Sequence, residues 1–451
     1  MKDLYMENEN YQRNSINLWG AVGLGTGVMF GAAIFAVLGQ VAELAGALFP
    51  LSYVGGAIIA ACSAYTYVKM ANLYPSAGGI GMFFVKVYGK GTMTATASLL
   101  MAFSMVTAVS LVARTFGTYT LQLFNAGPES SLVPVLGVGL IIFAFLVNIS
   151  GNRLIQTFTS IVSLIKIIGI VLFSLAALKA ANFSIDGVLG SVPDQAATGF
   201  ATGFIASMAL SLLSFKGFTT ITNSGSEIVN PKKNIGRAII ISISILSVIY
   251  LFMAWAVTSS LSIPEIVAAR DYSLAEAAHL TLGVYGLWFT VGIAILATIT
   301  VCIGSIFAVS RMTAMLTDMN LIPHSHFGMQ GTVQRHMLIY LIAIAIILTI
   351  FFDLTRIASL GAIFYLFMDI LFQWGVLKRI RKEIKAKAYI IIAAIVLDMV
   401  VLSAFLWLKA TTDVLIVVLA ILFITLTFIG ERIFLRRVLS NEEKREDEHH
   451  H

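Results

Sequence analysis

The side chains in this chain that could do chemistry are two lysines in the middle of long apolar segments, Lys166 and Lys216. A basic group inside a membrane is costly, so such residues are usually retained for a function. Burial disfavours the charged form of a lysine, and a buried lysine can therefore bind and release a proton. The alternative for Lys166 is a permanently charged, paired side chain that acts as an internal strut. The chemistry that burial predicts for Lys166 is reversible protonation.

Motifs of enzyme chemistry are absent from the sequence. It contains no GxSxG, HExxH or P-loop pattern, and the histidines before the terminal HHH fall at predicted loops or at the ends of apolar segments. Cys62 and Cys302 lie in apolar runs without metal-ligand spacing. We therefore expect no enzyme activity, no cofactor and no bound metal.

The elements that must hold the two lysines are membrane-spanning helices. Of the 451 residues, 58% are hydrophobic and 12% are charged, and a soluble core could not bury that much apolar surface. Apolar runs separated by polar or turn residues predict an all-α polytopic membrane protein of twelve transmembrane helices. The predicted spans are residues 16–40, 46–70, 93–124, 132–149, 154–181, 198–228, 237–260, 281–318, 336–352, 355–377, 389–408 and 413–432.

The distribution of Lys and Arg predicts the orientation of these helices. Most of the 29 basic residues fall on the loops that share a side with the N-terminus, including the cluster between Lys378 and Lys387. Cytoplasmic loops carry such an excess, so we expect both termini on the cytoplasmic side of the plasma membrane. The net charge of +6 is explained by these loops, and no nucleic acid partner is expected.

Glycines interrupt the first predicted span. The stretch GLGTGVMFGAAIF, residues 23–35, contains Gly23, Gly25, Gly27 and Gly31, and glycine lets the backbone leave a helix at little steric cost. In lipid, freed backbone groups are tolerated only where they line a cavity or are buried in protein. The stretch therefore predicts a broken helix that binds a solute near the middle of the membrane. A continuous helix whose glycines pack closely on a neighbour is the alternative.

The sixth predicted span is interrupted as well, where Lys216 is followed by Gly217. Spans one and six are five apart, and a repeat of five helices returns upside down in the membrane, as in many secondary transporters. The alternative is a kink in a packing helix. The predicted organisation is a cytoplasmic segment 1–15, a five-helix repeat 16–181, an inverted repeat 198–377, a peripheral helix pair 389–432 and a cytoplasmic tail 433–451 that ends in a tag remnant.

Residues around both breaks resemble the amino acid–polyamine–organocation (APC) transporters. Residues 28–35, VMFGAAIF, resemble the unwound segment of the first span in that superfamily, and residues 217–239, GFTTITNSGSEIVNPKKNIGRAI, resemble the signature of its sixth span. Lys166 in span five and residues 113–119, ARTFGTY, in span three fit as well. The first eight or so spans resemble the superfamily in their sequence motifs. The last four resemble it in hydropathy more than in motif. It implies a LeuT-type fold in which spans one and six are discontinuous.

The resemblance also implies an amino acid substrate held between the two breaks. The substrate carboxylate would bind backbone N–H groups of residues 31–33, and its ammonium would meet carbonyls of residues 213–215. A helix N-terminus attracts an anion and freed carbonyls attract a cation, which agrees with this placement. Phe215 is the candidate gating residue, because no Trp lies at the gate position of span six. The implied substrate-binding residues are Met29, Phe30, Gly31, Ala32, Ala33, Ser104, Leu213, Ser214, Phe215, Lys216 and Gly217.

The resemblance implies that Lys166 occupies the place where sodium-coupled relatives bind a cation. This argues against a role for sodium here. The ammonium of Lys166 would contact the backbone near Gly27 and the hydroxyl groups of Thr298 and Thr300. Protonation of Lys166 would then alternate during the transport cycle and couple the substrate to protons.

Two charged residues of span six keep two interpretations each. Lys216 either faces the substrate, where it repels cationic side chains, or pairs with Asp369 of span ten. Glu227 either bridges to Arg311 or Lys232 as an inner gate, or is simply solvated.

The resulting prediction is a secondary active transporter that moves amino acids across the cytoplasmic membrane by alternating access, with proton-coupled symport. Its expected partners are the amino acid, protons and the lipid bilayer. The alternatives are an exchanger of amino acids or amines, and a potassium transporter on the same fold. Lys216 counts against polyamines on electrostatic grounds.

Overall fold

The structure of the chain is a computed structural model that describes residues 15–31, 33–75, 79–150, 152–180, 198–225, 227–322 and 333–449. The regular elements in these ranges are helices. They are α1 Leu18–Met29, α2 Ala33–Ala45, α3 Phe49–Leu73, α4 Gly79–Tyr88, α5 Thr92–Gln122, α6 Leu132–Ser150, α7 Asn152–Ala180, α8 Thr198–Leu213, α9 Phe218–Asn223, α10 Pro231–Ser260, α11 Ile263–Ala268, α12 Ser273–Asp318, α13 Val333–Phe351, α14 Leu354–Gly375, α15 Ala388–Thr412 and α16 Val414–His449.

Long apolar helices dominate the described part of the chain. Nine stretches of it are long and apolar enough to cross a membrane. The helix α1, with 12 residues, is too short to do so alone and is completed by α2. The predicted all-α polytopic membrane fold is therefore confirmed, and the count of twelve spans stays a prediction.

The first span is broken where the glycines predicted a break. The helix α1 ends at Met29 and α2 begins at Ala33. A Cβ atom at Gly31 would lie 1.9 Å from Cγ2 of Val301, so α12 packs directly against the break at this residue. The discontinuous first span is confirmed, and the alternative of a continuous packing helix is wrong.

The sixth span is broken as well and lies beside the first. The helix α8 ends at Leu213 and α9 begins at Phe218. The helices α2 and α8 pack together, as do α1 and α9, so the two broken spans run antiparallel with their breaks at the same level. A Cβ atom at Gly217 would lie 2.8 Å from the backbone nitrogen of Met29, which shows how closely the breaks approach.

The two ends of the helix bundle are distinguished by their contacts. At the end where α1 begins, called here the N-terminal end, the backbone of Ile16 bonds to Glu227 O at 3.0 Å and to Val229 N at 2.8 Å. At the other end, called the opposite end, Arg270 pairs with Glu43 at 2.8 Å. The start of the first span is thus tied to the segment that follows the sixth.

Several helix boundaries differ from the predicted spans. The helix α12 begins at Ser273 rather than at 281, and Gly283 interrupts its helical path with φ 63° and ψ −155°. The short helix α4 was not predicted as an element of its own, and α16 continues past 432 into the charged tail as far as His449. Hydropathy marks only the part of a helix that faces lipid or core, whereas helical hydrogen bonding continues through polar residues.

Candidate substrate and proton site

A cavity of about 680 Å³, including the part open to solvent, lies where the two breaks meet α5, α12 and α14. Four of the predicted substrate residues line it, namely Met29, Leu213, Lys216 and Gly217. The remaining wall is apolar except for a few hydroxyl groups, and Lys216 is its one charged residue. These other lining residues are Val28, Met101, Met105, Thr107, Ala108, Leu111, Thr219, Thr220, Val301, Ser305, Ile357, Ala358 and Gly361.

The C-terminal end of α1 is completed by side chains from other helices. The last four carbonyl groups of a helix have no partner inside it. In α1, two of them accept backbone N–H groups from the break itself. The Gly27 carbonyl accepts from Lys166 Nζ at 3.0 Å, and the Met29 carbonyl accepts from the Tyr250 hydroxyl at 2.8 Å. Lys166 of α7 and Tyr250 of α10 therefore hold the end of α1 in place.

Lys166 lies between three helices with no exposed surface. Besides the Gly27 carbonyl, its ammonium donates to Thr300 Oγ1 of α12 at 2.9 Å. The C-terminal end of a helix attracts a cation, so the end of α1 favours the charged form of Lys166. Within the described residues no hydrogen bond joins Lys166 to Thr298, whose hydroxyl donates to two carbonyls of its own helix. Within the described residues no carboxylate lies within ion-pair distance of Lys166.

Tyr250 joins the two breaks and is a site residue that the sequence analysis missed. Its hydroxyl lies 2.8 Å from Met29 O and 3.0 Å from Ser214 O, the carbonyls that follow α1 and α8. Its ring stacks on Phe30 at 6.4 Å and meets Phe215 edge-on at 5.1 Å. A lone tyrosine in an apolar span carries no sequence signal of such a bridge.

The predicted gating residue Phe215 is fully buried against Tyr250 and does not line the cavity. Phe30 is likewise fully buried. Beside them, the Ser214 hydroxyl is buried and has no hydrogen-bond partner in the described part of the chain. An unpartnered buried hydroxyl is costly, so Ser214 is free to bind a polar group of a solute at the break.

Lys216 lies at the cavity wall and is bound to α5. Its ammonium donates to the Ser104 carbonyl at 2.8 Å and to Ser104 Oγ at 3.0 Å, and it lies 5.8 Å from the ring centre of Tyr365. The predicted alternative, an ion pair with Asp369, is wrong, because Asp369 instead accepts from two hydroxyl groups of α3. Two of the three ammonium hydrogens of Lys216 are used by Ser104, which leaves one for the cavity.

The backbone groups predicted to bind a carboxylate lie at the start of α2. The Gly31 N–H donates to Val28 O at 3.3 Å, a long bond that a stronger acceptor would replace. Ala33 is the first residue of α2, so its N–H has no partner inside the helix. Ala32 lies outside the described residues.

Glu227 forms an ion pair with Arg311 at the N-terminal end of the bundle. The distance between Arg311 Nη2 and Glu227 Oε1 is 3.4 Å, and Glu227 is only 6% exposed. The alternative of a solvated Glu227 is therefore wrong, and Arg311 rather than Lys232 is its partner.

Tyr250→Phe is expected to destabilise the protein by about 1–3 kcal/mol, since removal of a buried hydroxyl leaves two carbonyls without their donor. The measurement is the thermal unfolding of the purified protein. Tyr285→Phe is the matched control, because Tyr285 is 85% exposed and its loss of a hydroxyl should leave the melting temperature unchanged. Equal melting temperatures for both variants would show that the bridge between the breaks carries no stability.

Comparison with known proteins places the chain in a family. The family profile described as amino acid permease matches residues 16–432. The chain is 32% identical to an uncharacterized protein of Methanocaldococcus jannaschii over 66% of its own length and 65% of that protein. It is 27% identical to the inner membrane transport protein YbaT of Escherichia coli over 88% of the chain and 91% of YbaT. It is 26% identical to the serine/threonine exchanger SteT of Bacillus subtilis over 70% of each chain. With two facing helix breaks around a cavity and a family match along nearly the whole chain, this protein belongs to the amino acid permease family of the APC superfamily.

Proposed function

We propose that this amino acid permease is a proton-coupled symporter and that Lys166 is its proton-binding group. Family membership indicates amino acid transport and a transporter rather than an enzyme. The observation that carries the proton proposal is the position of Lys166, fully buried, with its ammonium on the Gly27 carbonyl at the end of α1. A hydrogen bond from a charged donor is roughly twice as strong as one from a neutral donor. Loss of the proton therefore weakens the contact that holds the end of α1 against α7 and α12.

The substrate is proposed to lie between the two breaks. Its carboxylate would approach the N-terminus of α2 at Gly31 and Ala33, where the helix dipole favours an anion. Its ammonium would share the carbonyls of Met29 and Ser214 with Tyr250, because each carbonyl oxygen has a second lone pair. The unpartnered Ser214 hydroxyl supports the same position.

The substrate side chain would extend into the cavity toward Lys216. The ammonium of Lys216 disfavours a cationic side chain in an apolar cavity of this kind. The hydroxyl groups of Thr107, Thr219 and Ser305 offer hydrogen bonds to a small polar side chain. We therefore propose neutral or acidic amino acids as substrates in preference to cationic ones.

The N-terminal end of the bundle is proposed to face the cytoplasm, with both termini there and the protein in the plasma membrane. The basic cluster between Lys378 and Lys387 follows α14 at this end, in agreement with the excess of positive charge on cytoplasmic loops. The ion pair of Glu227 and Arg311 lies at the same end and would have to open when substrate passes on that side.

The test is uptake of labelled amino acids by proteoliposomes across a panel of neutral, acidic and cationic substrates. Each is measured with and without an inward proton gradient in sodium-free buffer. We expect accumulation of neutral or acidic amino acids only with the gradient. Equal uptake with an inward proton gradient, with an outward one and with none would contradict proton coupling.

Exchange is the second outcome that this assay resolves. The relative SteT is named as an exchanger, which makes counterflow the necessary comparison. Vesicles preloaded with unlabelled amino acid would accumulate label without any proton gradient if the protein only exchanges. Accumulation in empty vesicles under a gradient is expected of a symporter alone.

A further inference from the structure

Two aspartates that the transport site does not use lie inside the bundle. Asp369 of α14 and Asp398 of α15 are both 0% exposed. Their carboxyl groups lie within hydrogen-bond reach of each other. Two negative charges at that separation in a low-dielectric interior repel strongly, so the pair does not hold two ionised groups at once.

The surroundings of Asp369 supply hydrogen-bond donors. Ser63 Oγ donates to Asp369 Oδ2 at 2.6 Å, and the Tyr67 hydroxyl donates to Asp369 Oδ1 at 2.7 Å. Gln373 Nε2 lies 3.2 Å from the Ser63 carbonyl and 3.3 Å from its hydroxyl oxygen, which orients that hydroxyl. Donors on both oxygens stabilise a carboxylate, so Asp369 is the ionised member of the pair.

The surroundings of Asp398 supply none. Within the described residues no group donates a hydrogen bond to either of its carboxyl oxygens, although both are buried. Gln373 Oε1, in the same cluster, is also buried without a partner. An ionised carboxylate without donors is very costly inside a protein, whereas a protonated one supplies its own donor. Two facing carboxyl groups of which one lacks donors require a proton between them.

We propose that Asp369 and Asp398 form a proton-binding site in which Asp398 carries the proton and donates it in a hydrogen bond to the Asp369 carboxylate. The site is separate from Lys166, which lies on α7 and contacts α1 and α12. This second proton site is additional to the proposed symport through Lys166, and it does not depend on that function.

The groups that face this site connect it to the transport machinery. The titratable neighbours are Cys62 and Tyr67 of α3 and Tyr365 of α14, and the ammonium of Lys216 lies over the Tyr365 ring at 5.8 Å. The Tyr67 ring also packs on Phe218, the first residue of α9, at 5.4 Å. Tyr67 therefore connects the proton site to α9, the helix that follows the break in the sixth span.

Two carboxyl groups could also bind a sodium or potassium ion instead of a proton. An alkali cation binds oxygen lone pairs, and the Ser63 and Tyr67 hydroxyl groups turn hydrogens rather than lone pairs toward Asp369. The observed donors therefore favour the proton, and salt dependence is part of the test.

The test is infrared spectroscopy of the purified protein in H₂O and D₂O, which identifies a protonated carboxyl group by the shift of its carbonyl stretch. We expect such a band in the wild type at neutral pH and a weaker band in Asp398→Asn, because Glu431 is another buried carboxyl group that can contribute to it. Asp353→Asn is the matched control, because Asp353 is an exposed N-cap and asparagine caps equally well. That variant should keep the band.

Thermal unfolding adds a readout that separates the two carboxyl groups. Asp398→Asn is close in shape to the protonated acid and should melt at the wild-type temperature. Asp369→Asn replaces one of the two oxygens that accept from the Ser63 and Tyr67 hydroxyl groups by an NH₂ donor, so one buried hydroxyl loses its acceptor and the variant should melt at a lower temperature. Absence of the band in the wild type, a band of unchanged intensity in Asp398→Asn, or a change of band on exchange of sodium or potassium for choline would overturn the proposal. Because no uptake is measured, its failure is distinct from failure of the symport proposal.

Discussion

Lys166→Met is expected to abolish proton-driven accumulation of amino acid in proteoliposomes. A gradient of about one pH unit supplies about 1.4 kcal/mol per proton, which drives about tenfold accumulation when one proton accompanies each substrate. Methionine retains the length of the side chain but binds no proton, so the internal concentration should not rise above the external one. The measurement is the steady-state ratio of labelled substrate inside and outside the vesicles.

The expected size of this effect follows from the place of Lys166 at the end of α1. Its ammonium donates to the Gly27 carbonyl at 3.0 Å and to Thr300 Oγ1 at 2.9 Å, so it joins three helices. Protonation and the position of α1 are then linked, and such coupling between sites typically amounts to about 1–3 kcal/mol. That range includes the free energy that one proton carries across the gradient.

Two further variants distinguish coupling from a structural role of Lys166. Lys179→Met changes an exposed lysine of the same helix and should accumulate substrate as the wild type does. Lys166→Arg keeps a cation that is not deprotonated in proteins. We expect it to fold and to exchange substrate without accumulating it. Full accumulation by Lys166→Arg would show that Lys166 is a strut and that the proton binds elsewhere.

The fold could be predicted because its signals are local. Runs of apolar residues set the long helices, and the glycines of residues 23–35 and the Lys216–Gly217 pair marked both breaks. A freed backbone in lipid needs a cavity or protein around it, so the breaks also predicted where a site would lie. The helix α4 was missed because its 10 residues, although mostly apolar, are too few to span a membrane. The extension of α16 was missed because hydropathy does not follow a helix into polar surroundings.

Parts of the site depend on contacts between distant residues and could not be predicted. Tyr250 bonds to Met29, which lies 221 residues before it along the chain, and to Ser214, which lies 36 residues before it. Asp398 carries no signal of its role in the sequence, because one aspartate in an apolar span shows nothing of the carboxyl group opposite it. Hydropathy gives the depth of such a residue but not the face of the helix that carries it.

Charged residues near the cavity show the same limit. The sequence left Lys216 between a solute and Asp369, and the choice of Ser104 as its partner required the packing of α5 against the sixth span. For Glu227 the sequence left a bridge to Arg311 or Lys232 and a solvated position open, and its burial against Arg311 excludes the solvated position. A charged residue near the end of a span is exposed only when no neighbouring helix covers it.

Gly217→Ala is expected to force the two breaks apart. A Cβ atom at this position would lie 2.7 Å from Cγ of Met29, 2.8 Å from its backbone nitrogen and 3.0 Å from its Cα. The side chain of Met29 can turn away, but its backbone cannot move without shifting the end of α1. Overpacking of this kind costs about 1–3 kcal/mol. The Tyr250 hydroxyl would then no longer reach Met29 and Ser214 together.

The consequence for binding is expected to be large, because the proposed ammonium site consists of carbonyls from both breaks. A cost of about 1–3 kcal/mol corresponds to roughly 5- to 150-fold weaker binding. The measurement is the dissociation constant of the amino acid that the uptake panel identifies, on purified protein, together with thermal unfolding. Gly23→Ala is the matched control, since no atom lies within 4 Å of the Cβ that it adds to α1.

The backbone at Gly217 makes this comparison informative. Its φ of −63° and ψ of −9° suit alanine as well as glycine, so the substitution introduces no backbone strain. Alanine is also the better helix former, which should leave Gly23→Ala as stable as the wild type or more so. Any loss in Gly217→Ala therefore reports the contact with Met29 alone. Wild-type affinity in that variant would mean that the two breaks can separate without disturbing the substrate, and the proposed shared site would be wrong.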